Sequence, residues 1–396
     1  LVSSLGHRAD YPRVAALLHP ILKAVVLFTV IQGLSHYRGG VSEIFSEIGF
    51  WIVYPLFIVV SVSTITDEAS LRRYIWGALV GGMFIVAFGI YAVFAGLPNA
   101  IGGRAGAYGM YENHNDYTFI IIQILPFLTC FLRFESSFIR RAFLGASVLA
   151  CILGVFLSLS RGGVLALLLE LAFIVMWTTG KKTRRILIPL LIMFGAAAIG
   201  YQWAKRAENQ GDNYTAEDAQ ESREELWRAG WAMVKDRPLL GVGSRSFGEH
   251  APDYTEISHD NRGKNSHNTY IEVVATSGLL GFWAFYLILR RTWREASWKS
   301  STVISAPIDG IRMATRIALP SIMFRALLDA KPWDWSLYFL AVVAIAGSTM
   351  LRHLEQQAQQ QQSPARHPPV ADASEPATVA RPGRRRPVGA PSRFRK

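Results

Sequence analysis

The sequence predicts an all-α fold: a polytopic transmembrane helix bundle of about ten spans in this chain, with a large extracytoplasmic loop carrying short helices. Three observations lead there. Of 396 residues, 51% are hydrophobic. These apolar residues gather in blocks of bilayer-spanning length rather than at amphipathic spacing. Cations, finally, recur on alternate loops between the blocks.

The clearest spans are residues 48–65, 74–97, 117–132, 142–159, 164–178, 186–204, 270–289 and 335–351. Two weaker ones cover 21–34 and 302–328, the latter interrupted by Pro307, Arg312, Arg316, Pro320 and Arg325. Arg72-Arg73, Arg133 with Arg140-Arg141, Lys181-Lys182 with Arg184-Arg185, and Arg290-Arg291 with Arg294 then share one side, which the positive-inside rule makes the cytoplasm. The other side receives the loops around Arg38, Arg104 and Arg161, the loop 205–268 and a short connector at Lys331. Ten spans place both termini inside. The net charge of +12 is thus explained by loop position and gives no ground for a nucleic-acid partner.

Residues 1–351 are expected to form the bundle. The tail 352–396, first glutamine-rich and then rich in proline, alanine and arginine, buries no core; it is expected to be a disordered basic cytoplasmic segment with Arg384-Arg385-Arg386 along the anionic inner leaflet. Cys130 and Cys151 fall inside apolar spans, so no disulfide framework is indicated. The chain opens at Leu1 without a cleavable signal pattern, which predicts a trimmed N-terminus with room for a further pair of spans before it.

The loop 205–268 holds nine Lys/Arg against twelve Asp/Glu, acidic on balance. Within it Ser222-Arg223-Glu224-Glu225 matches a capping box, and Leu226, Trp227, Gly230, Trp231 and Val234 form an apolar stripe before Pro238. That stripe predicts a helix lying in the membrane interface. Gly241-Val242-Gly243 marks a tight turn toward Arg245.

Two stretches and a few single residues point to chemistry. His267-Asn268, nine residues and then Gly278-Leu279-Leu280-Gly281 place a histidine where a polar loop becomes an apolar helix. In a continuous helix Gly278 comes back under His267, and the positive end of the dipole opposes protonation of the ring, as a general base requires. Ser160-Arg161-Gly162-Gly163 holds an arginine at the membrane surface, either snorkelling to lipid phosphate or, with its flanking glycines, gripping a diphosphate. Arg223 and Arg245 belong to the same side, as substrate contacts or as loop ion pairs. So does His114, in a stretch where Asn115 is the expected helix cap. Asp309, Arg312 and Arg316 recur at helical spacing and are read as an internal pairing. No metal constellation, P-loop, dinucleotide fingerprint or Gly-x-Ser-x-Gly elbow occurs. A transfer reaction on the outer side needs a donor that brings its own leaving group, and a lipid diphosphate meets that need.

These residues together resemble the O-antigen ligase and polymerase superfamily over roughly residues 102–285. The resemblance rests on the histidine motif, on Ser160-Arg161-Gly162-Gly163 and on Pro238-Leu239-Leu240-Gly241-Val242-Gly243 before Phe247; the family's Asn-Pro-Asn-like segment is here Asn113-His114-Asn115. It implies transfer of a glycan from an undecaprenyl-diphosphate carrier to an acceptor hydroxyl, by an inverting reaction that needs no metal and no cofactor. His267 would take the acceptor proton, and Arg161 and Arg223 would neutralise the departing diphosphate. Arg245, Asn268, Arg104 and His114 would contact substrate. The expected partners are the donor, lipid A core or another glycan as acceptor, and membrane lipids. The expected place is the bacterial inner membrane with the site facing the periplasm. Ligation to lipid A core is the first reading, exopolysaccharide polymerisation the second and protein glycosylation the third. A solute or inorganic-carbon transporter is the alternative from another class, favoured by Arg312 and Arg316 beside Pro307 and Pro320.

Overall fold

A computed structural model describes residues 17–97, 103–107, 109–111, 113–210, 216–299 and 306–362. The start of the chain, the connector before the ninth span and the arginine-rich tail beyond residue 362 lie outside the described residues. Among those described, every regular element is helical. In chain order they are α1 (Pro20–Leu34), α2 (Val41–Trp51), α3 (Val53–Thr64), α4 (Glu68–Phe94), α5 (His114–Phe134), α6 (Phe138–Leu157), α7 (Arg161–Thr178), α8 (Lys181–Gln210), α9 (Ala216–Asp236), α10 (Phe247–Tyr254), α11 (Thr269–Ser297), α12 (Ala306–Arg325) and α13 (Trp335–Gln362).

Eight segments are long and apolar enough to cross a membrane, α2 and α3 counting together as Val41–Thr64. The two weaker spans are also helical, as α1 and α12, but α1 is short, and α12 carries Arg312, Arg316 and Arg325. Pro55, with no N–H to give Trp51, marks the joint of α2 and α3, and the Trp51 carbonyl instead accepts the Thr29 hydroxyl at 3.4 Å. α13 runs on past residue 351 to Gln362, so the first part of the expected tail is helical.

Burial separates an inner set from an outer one. The apolar stretches of α5, α11 and α13 are 72%, 72% and 78% buried, against 17–33% for the other spans. The outer helices turn Phe84, Phe94, Phe138 and Leu149 outward, the expected face for lipid. Close packing inside uses small residues: Gly89 and Gly154 both lie against Tyr117, whose hydroxyl donates to the Val86 carbonyl at 2.8 Å.

α11 is not one continuous helix. Gly278 has φ +66° and breaks it, so the expected alignment of Gly278 beneath His267 does not hold. The segment 238–243 fills the break. Leu279 N–H donates to the Pro238 carbonyl (2.7 Å) and Leu280 N–H to that of Leu239 (3.3 Å), while the carbonyls of Ala275 and Thr276 accept from Val242 and Gly243 at 3.0 Å. The two glycine-rich motifs are therefore one unit: four backbone groups released by the broken helix find partners in segment 238–243 of the long loop. A Cβ on Gly278 would collide with the Leu239 backbone. Left-handed strain and collision together predict that Gly278→Ala lowers unfolding stability by about 3 kcal/mol. Gly77→Ala, at a helical site with open space around it, is the control and leaves the thermal unfolding temperature in detergent unchanged or slightly raised, since alanine suits a helix interior better than glycine. Equal melting temperatures for the two variants would contradict this account of the motif.

The expected interfacial helix is also different. α9 begins at Ala216, so Ser222–Glu225 lies inside it and caps nothing. Leu226, Ala229 and Met233 are buried against Phe247, Ile271 and Ala275, and only Trp231 of the two tryptophans stays exposed. Glu225 accepts from Ser258 (2.9 Å) and Asn261 (2.8 Å), which fixes the far part of the loop. The stripe is a packing face on α10 and α11.

Candidate active site

The loops expected on the outer side meet at one end of the bundle. α5 starts there, with Asn113 rather than Asn115 as its cap, accepting from Asn115 N–H at 2.8 Å. Asn115 is thereby free to accept Ser160 Oγ at 2.7 Å through its side chain. Ser160 in turn caps α7, taking Gly163 N–H at 3.1 Å, and so sets Arg161 as the first residue of that helix.

His267 directly precedes the cap of α11. Asn268 Oδ1 accepts the amides of Tyr270 (3.0 Å) and Ile271 (3.2 Å), and Ser266 N–H donates to the buried Glu272 carboxyl at 2.9 Å. Asn268 is thus a positioning residue, 7% exposed and occupied by the backbone. The first amide of α11, that of Thr269, donates to the carbonyls of Ala326 (2.8 Å) and Asp329 (2.9 Å), which ties His267 to the α12–α13 connector.

That tie brings in residues the sequence reading did not select. His267 Nδ1 lies 3.8 Å from Asp329 Oδ1, and Asp329 Oδ2 lies 3.4 Å from Arg325. Arg325 is 1% exposed, donates to the Asn115 carbonyl at 3.2 Å and to Thr118 Oγ1 at 3.3 Å, and sits over the Phe119 ring. A contact chain therefore runs from His267 through Asp329, Arg325 and Asn115 to Ser160 and the start of α7. A methyl built on Gly162 would lie 3.4 Å from an Arg325 terminal nitrogen, which fits the small residue in that motif. Beside it, Lys331 Nζ pairs with Asp116 at 2.9 Å. The available signal was the i,i+4 pair Arg325 and Asp329 at the end of a span, where intramembrane charge marks function more often than accident.

Arg223 reaches the same end. Four residues on, Trp227 donates its indole N–H to the Ser266 carbonyl at 2.9 Å, next to His267, and Arg223 is close enough for its charge to act on Arg325. Arg104 donates to the Ser158 carbonyl at 3.0 Å, bracing the chain before Ser160, and His114 Nδ1 lies 3.1 Å from the Ala105 carbonyl. Arg245 is held differently. It grips Glu47 with two bonds of 2.9 Å and lies 3.8 Å above the Phe50 ring, so its pKa rises, chiefly through the hydrogen bond to Glu47. The structure thus gives Arg245 a resident carboxylate and a place in the link between α2 and the 241–246 turn.

Among the described residues three non-glycine ones have left-handed backbones: Leu159 (φ 49°), Arg245 (φ 60°) and His267 (φ 50°). Two flank or form the proposed chemical groups, and such strain costs about 1–3 kcal/mol wherever it is kept.

Burial would push the Asp329 carboxyl up, but His267, Arg325 and Lys331 outweigh it and hold its pKa below the ordinary aspartate value. Burial raises that of nearby Asp334, against bonds from Ser336. For Asp329 the sign is that of a depressed acid. Its contribution to stability is present above the unfolded value near pH ~4 and is lost as pH falls through the lower folded value. The melting temperature of the intact protein should therefore fall more steeply below about pH 4 than that of Asp329→Asn. Parallel curves would show that Asp329 is not held in its charged form.

A family model described as O-antigen ligase matches residues 146–286. No curated protein matches the chain. The matched region holds Arg161, Arg223, the 238–243 segment, His267 and the Gly278 break, whereas Asn115, Arg325 and Asp329 come from outside it. The match supports the O-antigen ligase superfamily and, with the apolar helices, a polytopic membrane enzyme for glycan transfer of the ligase or polymerase type, acting on lipid-linked glycan.

Proposed function

We propose, from the premise that residues 146–286 carry the O-antigen ligase module, that the protein moves a glycan from an undecaprenyl-diphosphate carrier to lipid A core at the periplasmic face of the bacterial inner membrane. The observation that carries this reading is the convergence of His267, Asp329, Arg325, Arg223 and the Arg161 helix start at one end of the bundle. The positive-inside pattern supports the periplasm for that end.

The acceptor hydroxyl gives its proton to the His267 nitrogen that faces away from Asp329, and its oxygen bonds to the anomeric carbon. The bond from that carbon to the diphosphate oxygen breaks on the opposite side, so configuration inverts. Arg161 and Arg223 neutralise the diphosphate as it leaves. Asp329, kept anionic by Arg325, steadies the imidazolium that forms, as a carboxylate does beside a catalytic histidine. Each of these contributions is a few kcal/mol in comparable enzymes.

The transport reading loses its support here. Arg312 pairs with Asp309 at 2.7 Å, and Arg316 lies over the rings of Trp177 (4.9 Å) and Trp293 (5.7 Å), so both arginines have structural tasks. In proteoliposomes supplied with a lipid-diphosphate glycan and lipid A core, glycan should move to lipid A core, and Arg161→Ala should lower kcat about 10²-fold. Lengthening of the lipid-linked glycan without transfer to lipid A would select the polymerase. Unchanged kcat in Arg161→Ala would remove that arginine from the mechanism.

A further inference from the structure

The far end of the bundle holds a cavity of about 530 Å³ between α5, α6, α7 and α12. Asp309, on its wall, lies sixteen residues along α12 from Arg325, or about 24 Å from the site above. The cavity is independent of the donor site by position. Its wall is mostly apolar, with Ile174, Met313 and Ile317, yet Arg133 and Arg141 stand on it as well.

The charge there is not neutralised from within. Asp309 is taken by Arg312 at 2.7 Å, and Glu135, the neighbouring acid, by Arg140 at 3.3 Å. Among the described residues no carboxylate pairs with Arg133 or Arg141. Free phosphate would satisfy the cations and leave the apolar wall wet, whereas a zwitterionic lipid would bring its own cation to two guanidinium groups. An anionic head with an alkyl tail matches both surfaces. We propose that this cavity is a site for an anionic phospholipid of the leaflet opposite His267, its phosphate held by Arg133 and Arg141 and one acyl chain lying against Met313 and Ile317.

The test is native mass spectrometry of the purified full chain titrated with phosphatidylglycerol or with phosphatidylcholine of the same acyl chains. Phosphatidylglycerol should be retained about tenfold better. Arg133→Gln with Arg141→Gln should bring retention to the phosphatidylcholine level, and Met313→Trp, which fills the cavity but leaves both cations, should lower retention of both lipids. Arg140→Gln, whose guanidinium Glu135 already holds, should change nothing. Equal retention of the two lipids by the native chain, or full retention in Met313→Trp, overturns the proposal. So does displacement of phosphatidylglycerol by an equal concentration of a polyprenyl diphosphate, which would give the cavity to the donor lipid.

Discussion

Replacing His267 by alanine should slow glycan transfer about 10³-fold near neutral pH, the middle of the range for loss of a general base. The ring has a carboxylate behind it and an open face, its side chain being 36% exposed while that of Asp329 is 8% exposed. The backbone at this position has φ 50°, so alanine adds strain that has nothing to do with chemistry. His267→Asn separates the two effects, because asparagine tolerates the left-handed region but takes up no proton at neutral pH. The asparagine variant should melt within a few degrees of the native protein and lose as much activity as alanine. Transfer restored by asparagine would mean that His267 is present for its backbone alone.

Arg325→Met should have the largest effect on folding. It takes from buried Asp329 the guanidinium that pairs with it and strips donors from the Asn115 carbonyl and Thr118 hydroxyl. Breaking a buried pair from one side costs about 3–5 kcal/mol. Adding Asp329→Asn to Arg325→Met removes the buried charge, so the double variant should regain a good part of that loss in thermal unfolding while remaining inactive. If Arg325→Met alone melts like the native chain, the pair is not buried as described.

The spans and their alternation were legible because they depend on local apolar length and on charge next to the membrane. The convergence of Arg161, Arg223 and His267 on one end followed from that alternation. What failed to show was every feature made by partners distant in the chain. Glu47 meets Arg245 across 198 positions, so nothing local marked Arg245 as already paired. Arg325 read as an interruption of a weak span and Lys331 as a connector, although they carry the counter-charges of Asp329 and Asp116. The helical period was extended through Gly278 because periodicity alone cannot tell a packing glycine from a break; only the amides arriving from residues 242 and 243 decide it. At Asn113 and Asn115 both residues suit a cap, and the bond from Ser160 is what assigns them.

The most direct test of the account is a double-mutant cycle on transfer rate in proteoliposomes, with His267→Ala, Asp329→Asn and both together. If the imidazole and the carboxylate act as one unit, the double variant transfers glycan about as fast as His267→Ala alone. Losses that multiply, each residue acting without regard to the other, would contradict it.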